Sequence, residues 1–245
     1  MSERIDAALD AVADERVSIA AERDALMAFD RRVADLSTVT VSVGPSLVAD
    51  QRQSDRSLER VREVYAETVM SVPHYEEEYG DTLAESLAAE FGDDLAAALL
   101  NGAALTPTVR NAVRAAAVSA RDEREEFLDV LDREAASLDA AASDVAAVRS
   151  AIPGGDGSPR RRFDDLRRAW SDLRDLEARI DGIARRRQET IRGHRSDLPG
   201  VPADLSEYLY ADLPTPYPVL ATLATVGERV AERRQRVERA LASTA

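Results

Sequence analysis

The chain has 245 residues, 44% of them apolar and only 4% aromatic, and carries 46 acidic against 32 basic residues for a net charge of -14. Every basic residue other than the two histidines is Arg, and the sequence contains neither Lys nor Cys. Those absences remove disulfides, thiolate nucleophiles and Cys-ligated zinc, and leave no Lys for a P-loop or for a pyridoxal Schiff base.

An alanine-rich, aromatic-poor apolar fraction suits closely packed helices better than strands, so the expected class is all-α. Ile5, Val12, Ile19, Leu26 and Val33 recur every seven residues, with Phe29 and Leu36 joining the second seam late. This heptad stripe predicts a first helix over about 2–36. Glu15 and Glu22 occupy the second seam earlier, so the stripe is narrow and the helix is expected to lie in a bundle. STVTVSVGP, Ser37 to Pro45, breaks it and reads as an extended connection. Leu58, Val61, Tyr65, Thr68 and Val72 then share one face of a helix over about 50–72.

Pro73 stops that helix, Thr82-Leu83-Ala84-Glu85 spells a capping box, and a helix is expected over 82–101 with Gly92 as a stop. Thr106 as N-cap and Pro107 at the first helical position open a long helix, 106–152, with Phe127, Leu131, Leu138, Ala141, Val145, Val148 and Ile152 at 3-4 spacing. PGGDGSP, 153–159, reads as a turn. Phe163, Leu166, Trp170, Leu173, Ile180, Ala184 and Ile191 repeat the spacing over 160–194. The pair predicts a long antiparallel coiled-coil-like hairpin, projecting as a stalk from an elongated bundle. A last helix over 217–242 follows a short helix and a Pro-rich corner. The expected organisation is one all-α domain, 1–245.

Three features bear on function. His74, Glu76, Glu77 and Glu78 in HYEEEYG offer metal-ligand chemistry. Adjacent helical residues point about 100° apart, however, and the Glu-x-x-His signature is missing, since Ser71 and Ile191 stand three before the histidines. The bland reading is a structural corner: Pro73, Tyr75 and Tyr79 in one irregular segment, Tyr208, Tyr210 and Tyr217 in another, with hydroxyls bonding exposed backbone and the two segments meeting. Second, Pro159 to Arg195 holds twelve Arg against seven acids. Arg160, Arg161, Arg162, Arg185, Arg186 and Arg187 are its interaction candidates, for phosphate backbones or for the acids of DEREEFLDVLDRE, 122–134, on the preceding helix. The second use is preferred. Third, GGDGS lacks a preceding strand and GxGxxG spacing, His194 reads as a charged helix end and Trp170 as core.

PHYEEEYG, LAAEFG and LTP, with LYADLP and YPVL near the end, resemble the signature segments of an uncharacterised family of helical proteins from halophilic archaea. The resemblance spans nearly the whole chain and implies no activity, cofactor or catalytic residue. Composition points the same way, because a self-repelling acidic chain is tolerated where the Debye length falls to about 3 Å at 1 M salt. The most apolar run, Leu95 to Leu105, is too short for a membrane span, and MSERIDAALDAVADER lacks a basic start and an apolar core, so a cytoplasmic protein is expected.

The overall expectation is a non-enzymatic structural or protein-interaction module of a salt-adapted cytosol. It has no cofactor and no catalytic residue, and it acts on an unidentified protein partner or a second copy. The alternatives are a nucleic-acid-associated factor using 160–195 and a metal-dependent enzyme centred on His74 and Glu76 to Glu78.

Overall fold

The computed structural model describes residues 3–39, 47–153, 163–197 and 205–244, and every regular element within them is helical. In chain order these are α1 (Glu3–Ala34), α2 (Leu47–Thr68), a 3-10 turn (Val69–Ser71), α3 (Tyr75–Glu78), α4 (Leu83–Phe91), α5 (Asp93–Asn101), α6 (Pro107–Ala151), α7 (Phe163–Asp197), α8 (Leu205–Leu209) and α9 (Pro218–Thr244). The fold is all-α, as composition and periodicity require. No helix among the described residues is long and apolar enough to cross a membrane. Backbone packing groups the chain into two compact units: unit one is Met1–Glu15 with Val130–Ala245, and unit two is Arg16–Asp129.

Unit two is built on the residues that share helix faces in the sequence. Phe29 and Val33 of α1, Leu58, Val61 and Tyr65 of α2, Leu87 of α4, Leu99 of α5 and Val113 of α6 form one buried cluster. Each fully buried large side chain stabilises the fold by about 1.5–3 kcal/mol relative to exposure. Phe29, Tyr65 and Phe91 meet at its centre, with Tyr65 edge-on to Phe29 at 5.4 Å and Phe91 stacked on Phe29 at 5.7 Å. Burial pushes the Tyr65 hydroxyl pKa up, and its bond to Ser86 Oγ at 2.9 Å supplies the partner that a buried hydroxyl needs.

The expected span 82–101 is two helices. Gly92 adopts φ +83°, a left-handed conformation that side chains resist, and it closes α4 while opening α5. The capping box at Thr82 is present in both directions, side chain to Glu85 N–H and Glu85 carboxylate to Thr82 N–H. Thr106 likewise caps α6 through the Val109 N–H at 3.2 Å. Of the expected extended connection, Ser37 to Val39 is described, and Val39 donates its N–H to the Leu105 carbonyl. The remainder of that segment, and the turn from Gly154 onward, lie outside the described residues.

Unit one contains the expected antiparallel pair. Asp144 of α6 faces Arg179 and Arg186 of α7, while Glu134 ten residues earlier faces Arg187. The hairpin is not a bare pair of helices, however: α9 packs closest to α7 and runs antiparallel to it. There Trp170 Nε1 donates to Glu238 Oε1 at 3.0 Å and Arg234 Nε to Glu177 Oε1 at 2.9 Å. The reason is visible in α7, whose buried positions 166, 169, 173, 176, 180 and 183 form a full seam, wider than one partner helix covers. Val219, Leu223, Val226 and Val230 of α9 are buried at matching spacing, and the start of α1 joins through Ile5, Ala8 and Val12. Phe163, an expected seam residue, is 50% exposed because the seam begins one turn later at Leu166. Trp170 is half-buried rather than core, with the Arg174 guanidinium 5.1 Å from its ring centre.

Candidate functional site

Each unit buries one glutamate at a helix seam. In unit two this is Glu22 of α1, in line with the apolar stripe and 7% exposed. A carboxylate there must be hydrogen-bonded or it costs several kcal/mol. Its Oε1 accepts the Tyr79 hydroxyl at 2.8 Å and stands 3.0 Å from His74 Nε2. Its Oε2 accepts Arg124 Nε at 3.1 Å, and the same guanidinium donates through Nη2 to Glu90 Oε2 at 2.9 Å. His74 and Tyr79 flank the four-residue helix α3, so this short turn delivers both side chains to one acceptor. With Glu22 ionised, His74 must carry its proton on Nε2 to make this bond.

Of the four metal-ligand candidates the structure brings two together. His74 and Glu78, four apart across α3, come within 3.9 Å, and Glu22 completes a set whose ligand atoms lie within 4.8 Å of one another. Glu76 and Glu77 are exposed and take no part in it. Glu22 was legible in the sequence only as an acid interrupting the heptad stripe, a position that demands a partner without naming it. Beside the cluster is a cavity of about 210 Å³ whose lining includes Glu22, Tyr75, Tyr79, Asp81, Glu90 and Arg124. Burial raises the Glu90 pKa, against the opposing pull of Arg124. Tyr79 is also raised, by burial first and then by the Glu22 charge. Tyr75 is 5% exposed and its hydroxyl has no hydrogen-bond partner. Leaving such a group unsatisfied costs about 1–3 kcal/mol.

In unit one the buried acid is Glu134 of α6, 1% exposed. Arg187 of α7 clasps it with both nitrogens, Nη1 to Oε2 at 2.8 Å and Nη2 to Oε1 at 2.5 Å, the planar match that guanidinium and carboxylate favour. The Tyr210 hydroxyl donates to Oε1, Ser137 Oγ accepts a second bond from Arg187 Nη1 at 3.1 Å, and His194 Nδ1 lies 3.7 Å from Oε2. Burial works to raise the Glu134 pKa, but Arg187 and Tyr210 outweigh it and hold the carboxyl below its ordinary range. His194 is therefore no exposed helix-end charge; it is 5% exposed in the heart of this cluster. Position 134 is the missing member of the 3-4 series between Leu131 and Leu138, and Arg187 fills the seam between Ile183 and Ile191.

Among the interaction candidates, Arg187 is consumed by Glu134, Arg186 pairs with Asp144 at 2.6 Å and Arg185 is exposed. Arg160, Arg161 and Arg162 lie outside the described residues. The preceding helix does match the arginines as expected, though through Glu134 and Asp144 rather than the whole of 122–134. The corner tyrosines divide by unit. Tyr75 and Tyr79 belong to unit two, while Tyr208 donates to Glu15 at 2.8 Å, Tyr210 to Glu134, and Tyr217 precedes α9 in unit one. Their described hydroxyl bonds go to carboxylates, not to exposed backbone, and Pro73 is exposed.

A groove of about 540 Å³ opens beside the Glu134 cluster, and its lining includes Ala136, Ala140, Ala141 and Gly193 with Arg133, Asp144 and Arg186. These seam acids, tyrosine corners and helix breaks run through a region, residues 3–234, that matches the family described as Domain of unknown function (DUF7260). The chain belongs to this family. No curated protein and no solved structure matches it. Membership covers both clusters, since Glu22 and Tyr210 both fall inside the matched region, and it assigns neither an activity.

Proposed function

We propose that this chain is a non-enzymatic helical interaction module whose α6–α7 groove receives a helix from a second copy of the chain. The observation that carries this reading is the groove itself. Its lining runs from Arg133 to Asp144 on α6 and from Ile183 to His194 on α7, about 16 Å at 1.5 Å per residue. Small lining residues, Ala136, Ala140, Ala141 and Gly193, let another helix approach closely. Light scattering after size exclusion at micromolar concentration in molar salt should give a dimer, reduced to monomer by Ala140→Trp. A monomeric parent chain sinks the proposal.

The family match runs unbroken across both units, which supports taking 1–245 as one all-α domain. The lysine-free acidic composition supports a salt-adapted cytoplasm, and an origin among halophilic archaea, as the setting. A helical circular-dichroism signal lost on dialysis from molar to millimolar salt is the expected result. The nucleic-acid alternative draws on the same arginines, of which Arg179, Arg186 and Arg187 already face α6 acids; a gel shift at high salt tests it. A metal-dependent enzyme keeps one supporting observation, the grouping of Glu22, His74 and Glu78. A stoichiometric transition metal lost on His74→Ala would carry that reading over ours.

A further inference from the structure

We infer that the cavity of unit two is a binding site for a small organic cation bearing N–H donors. The inference starts from the hydrogen-bond accounting around the cavity. Tyr79 gives its only proton to Glu22, and Arg124 spends Nε on Glu22 and Nη2 on Glu90. Arg124 keeps further N–H groups, but the carboxylates that line the cavity keep more acceptor capacity than those groups can use. Glu90 takes a hydrogen bond through Oε2 and none through Oε1 among the described residues, and Asp81, half-buried at the same wall, takes none.

Tyr75 supplies the second and independent observation. Asp6, Arg110, Arg149 and Arg233 also have a buried polar atom without a partner, but each carries other polar atoms on the same side chain. In Tyr75 the unpartnered hydroxyl is the whole polar content of a side chain that lines the cavity and is 5% exposed. Native structures satisfy such groups, and an unsatisfied one beside a cavity marks the place of a missing partner.

Charge selects the class of ligand. Glu22, Asp81, Glu90 and Glu123 line the cavity against one cation, Arg124. An anion would meet four carboxylates, and a neutral apolar molecule would leave the Tyr75 hydroxyl and Glu90 Oε1 unanswered. An ammonium or guanidinium group answers all of them, with the Tyr75 and Tyr79 rings, 5.6 Å apart, offering π faces to its alkyl part or charge. The volume of about 210 Å³ equals about seven waters at roughly 30 Å³ each, so the ligand is small. A divalent ion at Glu22, His74 and Glu78 is the competing occupant. Its binding would replace the His74 Nε2–Glu22 hydrogen bond and leave the Tyr75 hydroxyl without a partner.

Titration calorimetry of the full chain with 1,4-diaminobutane tests the site, with adipate as the anionic counterpart and MnCl2 as the metal probe. Saturable binding of the diamine is expected, weakened at least tenfold by Glu90→Gln and severalfold by Tyr75→Phe, with adipate silent. Tyr75→Phe removes an unsatisfied buried hydroxyl and does not lower the melting temperature, so its loss of binding is not a loss of folding. No saturable heat, equal binding to both variants, or adipate binding as tightly as the diamine overturns the inference. So does Mn2+ binding that is lost on His74→Ala while the diamine gives none.

Discussion

Glu22 in unit two and Glu134 in unit one each interrupt an apolar seam, and each is answered by an arginine and a tyrosine with a histidine alongside, yet the two arrangements close to different degrees. Arg187 devotes two nitrogens to Glu134 and is 3% exposed; Arg124 divides its nitrogens between Glu22 and Glu90 and is 23% exposed. The first cluster closes around its carboxylate, with both guanidinium nitrogens and the tyrosine hydroxyl on Glu134, and the neighbouring groove reaches Arg187 and His194 rather than Glu134. The second leaves a cavity, a glutamate with a raised pKa and a tyrosine hydroxyl without a partner. The same three residue types thus make a lock in one unit and an acceptor-lined space in the other. The difference is that in unit two a second carboxylate, Glu90, lies within reach of the Arg124 guanidinium that answers Glu22.

The comparison breaks most visibly at Arg187. Arg187→Met leaves the Glu134 charge buried with the Tyr210 bond, and a denaturant titration should register a loss of about 3–5 kcal/mol. Glu134→Gln combined with Arg187→Met should cost clearly less than the two single changes added together, because the charges go as a pair. In unit two Glu22→Gln is expected to cost less, about 1–3 kcal/mol, since Arg124 keeps Glu90. Equal losses in the two units would erase the distinction between closed and open.

The tyrosines sharpen it further. Tyr210→Phe removes a bond to a charged acceptor and should cost about 1.5–3 kcal/mol, whereas Tyr75→Phe removes a buried hydroxyl that bonds to nothing and should stabilise the fold, by up to about 1–3 kcal/mol in the absence of ligand. Paired thermal melts decide this.

Acid gives the finest contrast because the two pKa directions oppose each other. The depressed Glu134 pKa supplies stability that is present above the unfolded carboxylate value of about 4.3 and is lost as pH falls through the lower folded value. The raised Glu90 pKa does the reverse: its contribution is complete below about 4.3 and is lost as pH rises through the higher folded value. Segment-resolved hydrogen exchange from pH 7 down to 3, corrected for intrinsic rates, should show α4 gaining protection over the upper part of the range and α6 around Glu134 losing it only at the bottom.

Much of the helical frame was legible from spacing. Ile5, Val12, Leu26 and Val33 are buried as their heptad requires, the capping box at Thr82 forms, and α6 runs from Pro107 to Ala151 between its two prolines. The buried polar residues were less legible. His194 reads as a helix-end charge and Glu134 as one acid among those of 122–134, because a gap in a 3-4 series shows that a polar side chain faces inward without showing what meets it there.

Composition, heptad spacing and the helix stops determined by themselves that the chain is helical, where most helices start and end, and which faces turn inward, since caps and i to i+4 neighbours act within a few residues. Packing alone decided that α9 rather than empty solvent covers α7, and that Glu22 meets a histidine 52 residues away while Glu134 meets a tyrosine 76 away. Periodicity specifies a direction in space for each side chain. The partner it finds depends on which distant helix arrives there, and no local rule carries that information.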